Sequence, residues 1–106
     1  MQHQKLINKL ADCIAACQHC ADACLSEDDI KRMVDCIRTD RDCADACALA
    51  MNFVARDSSH ARKAVEFCRD LCQQCAEECG KHDMDHCQQC AQACRECEQA
   101  CAEYIG

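Results

Sequence analysis

Apolar and polar positions recur with a three- or four-residue period along most of the chain, in four successive runs. At 3.6 residues per turn, that period gathers the apolar positions on one face of a helix. In the first run the face carries Cys13, Cys17, Cys20 and Cys24, and the third run repeats the 4-3-4 spacing with Cys68, Cys72, Cys75 and Cys79. The fourth places Cys87, Cys90, Cys94, Cys97 and Cys101 on a slightly wider arc. The second has Cys36, Cys43 and Cys47, and Asp40 stands where the stripe is due another thiol. That aspartate reads equally as a core group or as a solvated residue at the stripe's edge.

The pattern predicts helices from about Gln4 to Leu25, from a capping box at Ser26–Asp29 to about Arg56, from caps at Asp57–Ser59 to Gly80, and from a cap at Asp83 to about Tyr104. Gly80 is expected to end the third helix in the left-handed region. Short connections favour antiparallel neighbours, so the expected fold is all-α: an up-down-up-down four-helix bundle with a cysteine-lined core.

Composition strengthens this picture. The unit Cys-Ala-x-x-Cys occurs four times, at Cys20–Cys24, Cys43–Cys47, Cys75–Cys79 and Cys90–Cys94, one copy per helix. Leu, Ile, Val and Phe total only 15 of 106 residues, a level at which disorder competes with folding. Sixteen cysteines, which bury as small hydrophobes, and 17 alanines, which permit close helix approach, replace the usual core. There is no proline. The chain is expected to form one domain over residues 1–106.

The larger apolar residues gather toward one pole of such a bundle: Leu6, Ile7, Leu10, Leu49, Met51, Phe53, Val54, Val65, Phe67, Tyr104 and Ile105. The opposite pole carries Cys20, Cys24, Met33, His82, Met84 and His86. This predicts a bundle plugged with hydrocarbon at one end and open, with soft or imidazole ligands, at the other; the histidines read as well as plain loop residues. A weaker stripe (Ile7, Ile14, Leu25, Ile30, Val34, Ile37) would pack neighbouring helices or, if exposed, support self-association.

A net charge of −7 without a basic patch disfavours nucleic acid. The start, Met1-Gln-His-Gln-Lys-Leu6, lacks the apolar core of a secretory signal, and no run is long enough to span a membrane. The expected setting is the cytoplasm, where thiols stay reduced.

What the thiols do follows by comparing chemistries. Disulfide scaffolds are loop-rich, whereas here the nearest partners lie one turn apart on the same helix, where bridging is strained. Redox or nucleophilic catalysis needs one or two thiols in a distinct electropositive setting, and nothing singles out a pair, so an enzyme is not expected. Paired Glu-x-x-His motifs of di-iron bundles are absent. Metal binding is left. Zinc prefers four ligands presented from loops, and iron–sulfur clusters use loop spacings not found here. Soft thiolates select Cu(I), which accepts two or three sulfurs.

Seven pairs at i,i+4 (13/17, 20/24, 43/47, 68/72, 75/79, 90/94 and 97/101) would each grip an ion. Ionising every thiol would take the net charge to −23, and about one Cu(I) per thiolate would restore it. The chain therefore reads as a store of multiple Cu(I) ions; the alternatives are a general zinc-type thiolate buffer and a redox-responsive thiol protein.

The segments Cys36–Ala50, Cys75–His82 and His86–Ala91 closely resemble the bacterial copper storage proteins, in the branch that lacks an export signal, and the resemblance covers nearly the whole chain. It implies a homotetramer of four-helix bundles with many Cu(I) ions inside each protomer. It further implies that Asp40, His82 and His86 supplement the sixteen thiolates. Where relatives have another histidine between His82 and His86, this chain has Met84, a thioether. Delivery from a copper chaperone or a small thiol would suit such a store.

Overall fold

The computed structural model describes residues 2–106. Met1, quoted above with the start of the chain, lies outside them. Four helices follow in order: α1 Gln4–Cys24, α2 Val34–Ala55, α3 Ala61–Gly80 and α4 Asp85–Ile105, with a 3-10 turn at Ile30–Met33 leading into α2. Consecutive helices pack against one another, and α4 returns to α1, closing a square. The sulfur contacts fix the directions. Cys13 meets Cys43 while Cys20 meets Cys36, so α1 and α2 run antiparallel. Cys36 meets Cys79 while Cys47 meets Cys68, so α2 and α3 do too. Along α1 and α4, Cys13 meets Cys94 and Cys20 meets Cys87. The result is a slim rod of 44 × 19 × 17 Å.

The slimness has a cause in the repeats. In every Cys-Ala-x-x-Cys unit the alanine is buried beside its thiol: Ala21, Ala44, Ala76 and Ala91. Each lies about 100° round the helix from the preceding cysteine and faces a neighbouring helix, so the backbones approach closely. Their next neighbours (Asp22, Asp45, Glu77 and Gln92) are exposed. One unit therefore sets three faces of its helix at once: sulfur inward, methyl sideways, polar group outward.

The ends of the helices depart from expectation. The Ser26–Asp29 box caps nothing, and Asp29, the residue before the 3-10 turn, makes no side-chain cap bond. Glu27 turns instead to His86 on α4, a longer-range partner that outbids the local one. α3 is preceded by His60, whose backbone N–H donates to Ser58 Oγ, and Asp57 absorbs the bend at a φ of 53°. Gly80 keeps a negative φ as the last residue of α3. A Cβ there would press the Arg95 guanidinium at 3.3 Å, so small size rather than backbone freedom suits it. Met84, not Asp83, precedes α4.

The closed pole is built from Leu6, Leu10, Val54 and Val65, all buried, with Ile7, Met51, Phe53, Tyr104 and Ile105 packed against them. Leu49 and Phe67 were expected there and are instead 41% and 51% exposed, in a shallow groove between α2 and α3 that Leu71 also lines. Phe67 directly precedes Cys68, and with Cys68 pointing inward it must point about 100° away. In the weaker stripe, Ile37 is buried, Ile7 and Ile14 pack on the core, and Leu25 and Ile30 are exposed. Among the described residues, no helix is long and apolar enough to cross a membrane.

Candidate metal centre

All sixteen cysteines are free, and none has any solvent exposure. Their sulfurs form a continuous column along the bundle axis. At its centre, Cys13, Cys17, Cys43 and Cys94 converge, all four sulfurs lying within 4.8 Å of one another. Toward the closed pole follow Cys47, Cys72 and Cys97, again grouped with Cys13. Cys68 lies 3.5 Å from Cys47. Cys101 belongs to the same stripe of α4 and is equally buried. Toward the other pole come Cys17, Cys75, Cys90 and Cys94, then Cys20, Cys79 and Cys90 around Asp40, and finally Cys20, Cys24 and Cys87 with His86. Cys36 bridges the last levels, 3.9 Å from Cys20 and 3.3 Å from Cys79.

Four of the predicted one-turn pairs meet directly: 13/17 and 20/24 at 4.0 Å, 68/72 and 75/79 at 3.8 Å. Contacts across helices are as close, for example Cys13 to Cys94 and Cys43 to Cys72 at 3.7 Å. The column is a lattice of sulfurs in contact both along and across the helices, the shortest contact being Cys36 to Cys79 at 3.3 Å.

Asp40 sits within that lattice, fully buried, so the solvated reading of this residue does not hold. The thiols of Cys75, Cys79 and Cys90 all donate to its Oδ1 at 3.2 Å, and Cys36 lies 3.9 Å from Oδ2. Burial, with repulsion from negative charge on the sulfurs of Cys90 and Cys75 behind it, pushes its carboxyl up to about 12. Ionising a carboxyl is costly in so dry a place, which favours its neutral form.

The opposite pole carries the expected ligand types, but it is not open. Met33 is fully buried, His82 is 7% exposed, and Cys20, Cys24 and Cys87 lie beneath them. His86 is half-buried, with Nδ1 3.4 Å from Cys20 Sγ and 3.5 Å from Cys87 Sγ. Burial lowers its imidazole, but hydrogen bonds to Cys20 and Glu27 outweigh it, leaving the ring above its ordinary value. Hydrogen bonding with Cys36 and Cys79 draws Cys20 down to about 5, against Cys90 and burial, with His86 assisting. Burial pushes Cys24 and Cys87 up. The pole thus sets one acidic thiol beside an imidazole, among thiols that keep their protons.

Two carboxylates at this pole escaped the reading of the sequence. Glu27 Oε1 is 3.0 Å from His86 Nε2, and Glu78 Oε2 is 2.9 Å from His82 Nε2. The second pair is an i,i+4 neighbour on one helical face and was visible in principle. The first joins residues 59 apart in sequence and had no local signal.

Comparison with known proteins agrees with this geometry. The family model described as copper storage protein matches residues 1–106. An uncharacterised cysteine-rich protein of Bacillus subtilis (strain 168), YhjQ, is 46% identical over 95 residues, covering 90% of this chain and 88% of the relative. Among solved structures, the Cu(I)-bound copper storage protein BsCsp3 is 42% identical, covers 99% of this chain and 100% of its own, and superposes with a TM-score of 0.94. A cytosolic copper storage protein from Streptomyces lividans, solved with five coppers, is 39% identical and covers 97% of this chain and 91% of its own, also at 0.94. The chain belongs to the copper storage protein family.

Proposed function

We propose that this member of the copper storage family sequesters multiple Cu(I) ions in the cytoplasm, binding them by thiolates along the bundle axis and catalysing no reaction. The observation that carries this reading is the sharing of sulfurs. Cys13, Cys17, Cys20, Cys90 and Cys94 each belong to two of the four-ligand groups described above. Isolated tetrahedral zinc sites need four sulfurs of their own, whereas Cu(I) tolerates thiolates that bridge ions.

Distances support the same view. With metal–sulfur bonds of about 2.3 Å, trigonal coordination needs sulfurs about 4.0 Å apart, and linear coordination about 4.6 Å. The closest sulfurs lie 3.3 to 4.0 Å apart and the four-ligand groups extend to 4.8 Å, so two- and three-coordinate ions both fit with little movement. Charge supports a monovalent cargo: each proton released from a thiol is replaced by one positive charge, and the dry column stays neutral.

In this reading all sixteen cysteines are ligands, and Asp40, His82 and His86 supplement them toward the histidine pole. Residues 1–106 act as one storage domain. Cu(I) arrives at that pole from a chaperone or a small thiol by ligand exchange. Four copies assemble, covering apolar side chains such as Leu25, Ile30, Leu49 and Phe67 that are exposed on the single chain.

An anaerobic Cu(I) titration against a strong Cu(I) chelator tests this, with copper and free thiols counted per chain. Loading near or above about ten ions, with free thiols vanishing in parallel, is expected. Saturation at about four, or displacement of Cu(I) by zinc under competition, would sink the reading. Sedimentation of the same samples should give the mass of four chains.

A further inference from the structure

Both histidines at the ligand-bearing pole are held in the same way. His86 Nε2 lies 3.0 Å from Glu27 Oε1, and His82 Nε2 lies 2.9 Å from Glu78 Oε2. An ionised carboxylate can only accept, so Nε2 must carry the proton of each bond. Each ring therefore turns its other nitrogen away from its glutamate. For His86 that nitrogen faces Cys20 and Cys87, in a group with Cys24. For His82 it has no hydrogen-bond partner although it is buried, and it is the one such side-chain nitrogen or oxygen among the described residues. A buried ring nitrogen left without a partner is unfavourable, and such a group in a native fold calls for a ligand.

The two glutamates come from different places. Glu78 lies one turn before His82, while Glu27 is supplied by the segment between α1 and the 3-10 turn. Tethering by Glu27 also accounts for the failed capping box. The backbone N–H of Glu27 bonds to the carbonyl of Cys24, which aims its side chain across to α4.

We infer that Glu27 and Glu78 are positioning residues for metal admission, fixing the Nε2–H form of His86 and His82 so that Nδ1 is presented to an incoming Cu(I) ion. Carboxylate–histidine–metal arrangements of this kind orient the ring and raise its basicity as a ligand. Glu27 bears the larger share, because the nitrogen it frees already lies against the sulfurs of Cys20 and Cys87. The inference rests on the storage reading only in taking Cu(I) as the ion admitted.

The test uses the full chain and the variants Glu27→Ala, Glu27→Gln, Glu78→Ala and His86→Ala. Long-range proton–nitrogen spectra of the apo-protein should show His86 with Nε2 protonated in the wild type and averaging between ring forms in E27A. Cu(I) supplied as its coloured bicinchoninate complex should be taken up about ten- to a hundred-fold more slowly by E27A and H86A, and less so by E78A. E27Q, whose side-chain carbonyl still accepts from Nε2–H, should recover both the spectrum and most of the rate. Final loading should be the same in all the glutamate variants. An unchanged His86 spectrum in E27A, E27Q as slow as E27A, or H86A as fast as the wild type would each overturn the inference. Low final loading in the wild type would instead count against storage, while leaving the ring spectra to judge the tethers.

Discussion

The two poles of the bundle are made of the same helices and differ in what continues the stripes beyond the thiols. At the closed pole, α1 passes from Cys13 to Leu10 and Leu6, with Val54 and Val65 opposite. At the other, α1 runs on to Cys20 and Cys24 and meets Met33, His82 and His86. Both poles shut out water. Leucine and valine do so with groups that offer nothing to a metal, whereas histidine, methionine and cysteine do so with groups that exchange hydrogen bonds for coordination. Stability and access are thus assigned to opposite ends of one column, and each end can be perturbed separately.

The largest effect is expected at the hydrocarbon end. Leu10→Ala removes a fully buried side chain from the plug and should cost about 2–5 kcal/mol of apo-protein stability in urea unfolding. Copper capacity should hardly change, because no thiol is lost. A large fall in capacity would mean that the plug also shapes the binding column.

A comparable effect, spread over several pH units, is expected at Asp40, between the poles. Its folded-state carboxyl lies at about 12, far above an unfolded aspartate, so the folded chain holds a proton that the unfolded chain releases. Stability from this group is therefore complete below the unfolded value near 4 and is lost as pH rises toward the folded value. The slope approaches about 1.4 kcal/mol per pH unit in the intervening range. Asp40→Asn should flatten this component of the pH dependence of apo-protein unfolding between pH 5 and 8 (about three units, each carrying that slope). The same slope in both proteins would show that Asp40 is already ionised.

The smallest effect concerns access alone. Every thiol is fully buried, so an alkylating reagent reads local opening rather than surface exposure. Mapping of labelled peptides should find Cys20, Cys24 and Cys87 modified before Cys68, Cys97 and Cys101. The reverse order would place the weaker seal at the leucine end.

Helix number, direction and the inward thiol faces were legible because a period of three to four residues, repeated over some twenty positions, has one physical solution. Cys13, Cys17, Cys43 and Cys94 could be placed in a common core without coordinates. Leu49 and Phe67 were misplaced because their height along the helix was read without their phase. Cys47 and Cys68 pointing inward already turned them out. Glu27 could not be found, since its capping pattern was locally sound and the competing partner lay on another helix. The open mouth was misjudged for a related reason: Met33 and His82 fill space as well as offering ligands, and only packing reveals the first property.

The buried alanines carry a consequence of their own. Ala21, Ala44, Ala76 and Ala91 lie where helices touch, and the distance between helix axes is set by the smallest residues at those contacts. They act as a gauge block for the bore. Widen one to leucine, and sulfurs now 3.7 Å apart across helices would separate toward the span of a linear ion. The coordination number of the cargo is thereby metered by four methyl groups that never touch it.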